Sequence, residues 1–191
     1  YANASIFPQY IVGSNLTRRL ENTYVIDVNG IELKTVQTKF PHTYQHLKDH
    51  VHPERAQNRD RRFRERWWEF GRWRPDMRRA LNGLSRYIAT SEVASKRFFA
   101  FLEWPTQLLD GGAIAIALSD AFFLGVLSSK IHVHWAGVAG GRIGFGNDDR
   151  YQNEICFDPF PFPDPSDETL KQRIRELGEQ LDRHRKERQA R

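Results

Sequence analysis

Apolar residues follow a helical period in the first part of this chain and a strand period after about residue 85. From Pro41, the positions Tyr44, Leu47, Lys48 and Val51 recur at three and four, which predicts a helix that Pro53 ends. A second helix is expected over 59–70, closed by Gly71. A third starts at Pro75, a good first-turn residue, and carries Met77, Leu81 and Leu84. Ahead of them, YVID at 24–27 with Asn29-Gly30 reads as a short strand into a turn, and 1–23 as an irregular lead-in.

The period then switches. RYIAT (86–90), RFFAFL (97–102) and AIAIAL (113–118) are short runs rich in aromatic and β-branched residues, separated by Ser, Glu, Pro and Gly, and read as strands of one sheet. Ser119-Asp120 is a candidate N-cap for a helix through Phe123, Leu124 and Leu127, with Ser128-Ser129 a break before 131–136. Residues 137–153 hold five glycines and read as a loop of functional length. CFDPFPFPDP at 156–165 repeats proline too often for a helix and is expected to run extended as a semi-rigid strap. Ser166 can then cap a last helix with a narrow stripe, Leu170, Ile174, Leu177 and Leu181. That helix is expected to dock lightly and to fray at its basic end, HRKERQAR. The fold class is α+β: a helical N-terminal third, a small mixed or antiparallel sheet with a packed helix, the proline strap and a C-terminal helix.

Composition narrows this without changing it. The 191 residues suffice for one main core, and no apolar run approaches the roughly 18 residues that span a bilayer, so no membrane partner is expected. The opening YANASIFPQY has neither an initiator Met nor a signal-peptide pattern, so the chain reads as a piece of something longer. Cys156 is the single cysteine, which excludes an internal disulfide and fits a reducing, cytoplasmic setting. Net charge is +5, but it is concentrated: between Arg55 and Arg79 ten arginines stand against four acids. Within that segment, RRFRERWWEFGRWRPDMRR adds three tryptophans and two phenylalanines.

Catalytic readings mostly fail. Gly141, Gly144 and Gly146 lack the strand-to-helix setting of a phosphate loop, and His132 and His134 have no acidic or cysteine partners nearby, so structural histidines and no metal are expected. Asp158-Pro159-Phe160 sits in the strap and lacks the second proline of an amino-methyltransferase motif. The basic aromatic segment is the strongest remaining signal, because arginines neutralise phosphates with counterion release while aromatic rings stack on bases. The bland alternative is weighty. Phe63, Trp67 and Trp68 at helical spacing are more often core anchors, whereas the arginines lean toward phosphate.

The ordered phrases KFPHTYQHLKDHVHPER, RERWWEFGRWRPDMRRALNGLSRYIAT, SKRFFAFLE, FFLGVLSSKIHVHWA and CFDPFPFPDP together resemble the target recognition domain of type IIG and IIL single-chain restriction-modification enzymes. The resemblance covers about residues 22–165. In that family an N6-adenine DNA methyltransferase domain precedes the recognition domain, and ENTYVIDVNG looks like the junction. The architecture also looks like the specificity subunits of type I systems. The implied division is 1–38 as lead-in and junction from the absent methyltransferase domain, 39–165 as recognition domain and 166–191 as C-terminal helix.

What the resemblance implies is a reader of double-stranded DNA that positions a target adenine for the upstream methyltransferase domain of the same polypeptide. The chain itself is expected to be no enzyme and to hold no cofactor, with S-adenosylmethionine expected for the parent, an adenine-specific methyltransferase that can also carry endonuclease activity. Base-reading residues are expected in three variable stretches: Thr90, Ser91, Glu92 and Lys96; the turn at 110–112; and Arg142, Asn147, Asp149, Arg150 and Asn153. Arginine suits guanine O6 and N7, asparagine suits adenine, and a carboxylate accepts from cytosine. Arg55, Arg59, Arg61, Arg62 and Arg66 are the candidates for gripping phosphates. The alternative is a protein-interaction scaffold, its Trp-Arg segment docking a methyltransferase or nuclease domain.

Overall fold

A computed structural model describes residues 6–16, 18, 21–143 and 148–190. Strand β1 (Gln9–Ile11) and a 3₁₀ turn (Gly13–Leu16) precede five short helices: α1 (Leu33–Lys39), α2 (Pro41–His50), α3 (His52–Ala56), α4 (Arg61–Glu65) and α5 (Pro75–Leu81). Strands β2 (Arg86–Ser91), β3 (Val93–Ala94), β4 (Ala100–Glu103), β5 (Gln107–Leu109) and β6 (Ala113–Ile116) follow, then α6 (Ala121–Leu127) and α7 (Lys130–Ala139). A hairpin of β7 (Arg142–Ile143) and β8 (Asp148–Arg150), a π-helical turn (Asn153–Phe157), the proline strap and α8 (Glu168–Gln189) complete the chain.

The three strands expected from RYIAT, RFFAFL and AIAIAL do share one sheet, antiparallel in the order β4-β2-β6. Its two faces bury separate clusters. Ile88, Phe101 and Ile116 meet Leu124, Leu127 and Tyr151 on one side, while Tyr87, Ala89 and Leu102 meet Ile11, Leu16 and Leu81 on the other. This is the alternation that period-2 burial on both faces requires. A third cluster, Ile6, Val28, Val36, Leu47 and Trp67, sits within the helical layer.

Several sequence expectations fail for identifiable reasons. The stretch 9–16, expected as part of an irregular lead-in, is ordered and packed: Ile11 and Leu16 are fully buried, and β1 pairs in parallel with β5. YVID forms no strand beyond a single bridge at Tyr24. The helix expected over 59–70 stops at Glu65, because the next residues bond to a distant turn instead of continuing the ladder. The Asn29 side-chain oxygen accepts from Phe70 N at 2.7 Å, and Glu69 accepts from Gly30 N at 3.2 Å.

The last helix departs most. Asp167, not Ser166, caps it by accepting from Thr169 N at 2.8 Å. Its buried face is Gly178 and Asp182, while Leu170 and Leu177 of the expected stripe are each 48% exposed. The reason is glycine. A Cβ on Gly178 would lie 2.3 Å from the Ala121 carbonyl, so α6 and α8 pack backbone against backbone there. The docking is firm: Arg86 and Glu179 make a two-pronged ion pair, Arg175 meets Asp120 at 3.0 Å, and Asp182 accepts from Phe101 N at 2.9 Å. The basic end is helical to Gln189, whose amide donates to Leu16 O at 2.7 Å.

Candidate nucleic-acid interface

Glycine-rich 137–153, expected as a loop, holds the end of α7 and the β7–β8 hairpin, and this is what assembles the candidate reading surface. Strand β8 pairs with β7 on one edge and with β3 on the other, so stretches more than fifty residues apart in sequence meet in one small sheet. Glu92 is its corner. There the chain leaves β2 for β3, with Glu92 N donating to Gly112 O at 2.9 Å and Glu92 O accepting from Tyr151 N at 2.7 Å. All three expected variable stretches are therefore stitched together at one residue.

Two guanidinium–carboxylate pairs result. Arg150 donates through Nε and Nη2 to one oxygen of Glu92, at 3.0 and 2.9 Å, with both side chains about one-third exposed. Arg142 stands across from Asp149 in register, 3.5 Å from its carboxylate, and is 64% exposed. Because side chains alternate along a strand, Asp149 and Arg150 leave opposite faces of β8.

The sheet is held from beneath by Arg97, the first residue of the RFFAFL run, whose sequence context signals only the start of a strand. Its guanidinium donates to Ser91 O, to Thr90 Oγ1 at 3.2 Å and to Asp149 O at 2.7 Å, and it lies 5.0 Å over the Tyr151 ring. Burial pushes its pKa below the ordinary arginine range, with the nearby Tyr151, Cys156 and Asp149 opposing. Tyr151 in turn shares a hydrogen bond with His132 Nε2 at 3.0 Å. His132 is fully buried among Phe99, Phe160 and Phe162, and burial, assisted by Arg97, lowers its pKa to about 4. His132 is thus packed into the interior and hydrogen-bonded there. Among the described residues no three His, Cys, Asp or Glu side chains are grouped to hold a metal ion.

Other expected readers fall elsewhere. Thr90 needs correction: it is fully buried, its hydroxyl donating to Phe98 O at 2.7 Å, and cannot present a group to a base. The reason is the inward face of β2, which continues one residue beyond the apolar run. Ser91 is half-buried with its hydroxyl donating to Val93 O at 2.8 Å. Lys96 is exposed and unpaired among the described residues, and Asn153 is exposed at the start of the π-helical turn. Asn147 lies outside the described residues.

The arginine-rich segment splits similarly. Arg55 also needs correction, because its guanidinium lies 4.4 Å over the Phe63 ring and its Nη1 is closed from solvent, so it packs rather than faces a phosphate. Arg66 donates to both oxygens of the buried Glu69 at 3.1 and 3.2 Å. Arg61 pairs with Glu65 at 2.7 Å but is 80% exposed. Arg59 and Arg62 are exposed and free of side-chain partners among the described residues. Trp67 is buried in the helical layer against Tyr44 and His52, and Trp68 donates its indole N–H to Ile31 O at 2.9 Å.

Residues 5–164 match the family model described as the MmeI target recognition domain. The chain belongs to that family. Among solved structures it is similar to the type IIL restriction-modification enzyme MmeI in complex with DNA, at a TM-score of 0.66 and 18% identity, over 91% of this chain and 22% of that chain. Identity that low speaks for the fold alone, and the chain spans about a fifth of that protein's length. No curated protein matches the chain. In this MmeI-type recognition domain, no helix of the described residues is long and apolar enough to cross a membrane.

Proposed function

We propose that this MmeI-type domain reads a short duplex DNA sequence through the β3-β8-β7 sheet and sets the register in which an upstream domain methylates adenine. The observation that carries the reading is that one small sheet carries two guanidinium–carboxylate pairs, Glu92–Arg150 and Arg142–Asp149, one on each of its faces. Each pair offers the donor fork that fits guanine O6 and N7 beside a carboxylate that accepts from cytosine N4, the two halves of a G·C pair. In the free chain the Glu92 carboxylate holds the Arg150 guanidinium in position before DNA arrives, whereas Arg142 stands looser, 3.5 Å from Asp149.

Arg59, Arg61 and Arg62 would grip phosphates. Adenine methylation, its donor S-adenosylmethionine and any cleavage belong to the parent protein; this chain contributes recognition. A reducing cytoplasmic setting fits the single buried thiol of Cys156. The scaffold alternative loses its main anchor, since Trp67 packs in this chain's own core.

The test is the methylated motif of the parent protein, by methylation sequencing, with Arg150→Ala and Arg142→Ala. Each replacement is expected to relax one motif position at a cost of about 1 to 3 kcal/mol in discrimination. An unchanged motif at unchanged efficiency in both variants rejects the assignment.

A further inference from the structure

A cleft of about 310 Å³ opens where the segment after α4 faces the β1–β5 pair, a volume at the lower end of small-ligand clefts, about 300 to 1,000 Å³. Apart from the turn at Asp110, none of the reading or phosphate candidates lines it. Its walls divide by chemistry: rings from Tyr10, Phe70 and Trp73, guanidinium groups from Arg72 and Arg74, and a carboxylate from Asp110. A third arginine there, Arg78, is already neutralised by Asp27 at 2.7 Å, in a pair nearly closed from solvent.

The remaining polar groups are underused. Arg72 is exposed without a partner among the described residues. Arg74 reaches only the carbonyls of Ala113 and Gly111, both at 3.4 Å, the long limit of a hydrogen bond. Asp110 accepts from Gly112 N at 3.0 Å through one oxygen. The Tyr10 hydroxyl makes no hydrogen bond among the described residues, and burial, then Asp110, pushes its pKa up against the opposing Arg74, so it stays a donor.

Arg74 is also the one described non-glycine residue at positive φ, 52°, and it directly precedes Pro75. A left-handed side chain is costly where glycine would serve, and helical conformations are further disfavoured before proline. Such outliers gather at ligand sites. Here the conformation turns the guanidinium back over the Asp110–Gly112 turn, which Glu92 N joins to the reading corner.

We infer that this cleft is a nucleotide subsite. One base lies against the ring wall, its phosphate meets Arg72 and Arg74, and its edge meets Asp110 and the Tyr10 hydroxyl. Rings stack on any base, guanidinium pairs with phosphate, and a donor beside an acceptor reads a base edge. The nucleotide comes either from the bound duplex, extruded beside the reading sheet, or from free solution. The first source rests on the DNA reading proposed above; the second does not.

Two arms separate the sources. In the first, adenosine 5′-monophosphate, adenosine and inorganic phosphate are titrated calorimetrically into the protein. The monophosphate is expected to bind one to one, the other two at least about tenfold more weakly, and Arg72→Ala and Arg74→Gly to weaken it about tenfold each, as expected for a lost charge-assisted contact. Arg74→Gly should hold or raise the melting temperature, because glycine suits the left-handed φ, so its lost binding is not unfolding.

In the second arm, 5-iododeoxyuridine is stepped through a duplex carrying the methylated motif, and irradiation should attach one position to Tyr10, Phe70 or Trp73 but not in Arg74→Gly. Monophosphate binding alone assigns a free nucleotide, and attachment alone assigns an extruded one. Neither signal, or signals indifferent to Arg72 and Arg74, overturns the subsite whether or not the duplex binds. Monophosphate binding without duplex binding instead overturns the DNA reading and leaves the cleft standing.

Discussion

The segment from Arg61 to Arg79 and the β3-β8-β7 sheet both rely on guanidinium groups, in opposite ways. In the first, eight arginines crowd nineteen residues, yet much of that charge is absorbed internally: Arg66 by Glu69, Arg78 by Asp27, Arg79 by Asp76 and Arg64 by the carbonyls of Asn58 and Arg59. In the second, a few charges are set opposite one another by strands drawn from distant stretches. Density of charge in sequence marks where a chain can be held, whereas placement by a sheet marks where it can discriminate.

The largest expected effect comes from disturbing the placement itself. A Cβ on Gly140 would lie 1.9 Å from Arg150 O and 2.8 Å from Cys156 Sγ, both parts of the packed interior that cannot withdraw. Gly140→Ala should cost about 3 kcal/mol in chemical denaturation and displace β8, so that discrimination by Arg150 falls with stability. Normal discrimination in a destabilised variant would separate the sheet from the reading.

Next is the buried pair of the arginine segment. Removing Arg78 leaves Asp27 uncompensated, and Arg78→Ala should lose about 3 kcal/mol by denaturant midpoint. A much smaller loss would mean that this arginine, too, is available to a ligand.

The support beneath the sheet gives a pH signature. His132 titrates at about 4 in the fold against an ordinary 6.5, so the unfolded chain binds more protons between those values and stability falls as pH drops from 6.5 toward 4. The contribution is about 3 kcal/mol across that window, read as the difference in melting curves between the protein and His132→Phe. A constant difference from pH 7 to pH 4 would remove His132 from the account.

Smallest is the effect of a free surface arginine. Arg62→Ala should change stability by only a few tenths of a kcal/mol, yet lower the salt slope of duplex binding by about one while weakening all sequences alike. Arg66→Ala, whose charge already meets Glu69, should alter the slope less.

The family and the α+β class were legible because they rest on ordered local phrases and on periodicity. The three strands of the main sheet, the Asp120 cap of α6 and the Ser129 cap of α7 were local signals too, each carried by adjacent residues. The helix expected over 59–70 ends early: Trp67 and Trp68 look helical by spacing, while the turn at Asn29-Gly30 that captures Glu69 and Phe70 lies about forty residues away. Leu170 and Leu177 make a plausible stripe, but Gly178 on α8, against Ala121 O, and Gly125 on α6, where a Cβ would lie 3.0 Å from Ile174 O, decide the contact.

By itself the sequence determined an α+β chain with a concentrated basic segment and a resemblance to type IIG and IIL recognition domains, since composition, periodicity and motif order are properties of short stretches. Only the tertiary structure decided that Thr90 is buried, that Arg55 lies on Phe63, and that Glu92 meets Arg150 at 2.9 Å. Strand pairing and ring packing join residues whose distance along the chain carries no trace of their distance in space, and the candidate reading surface is made of such pairs.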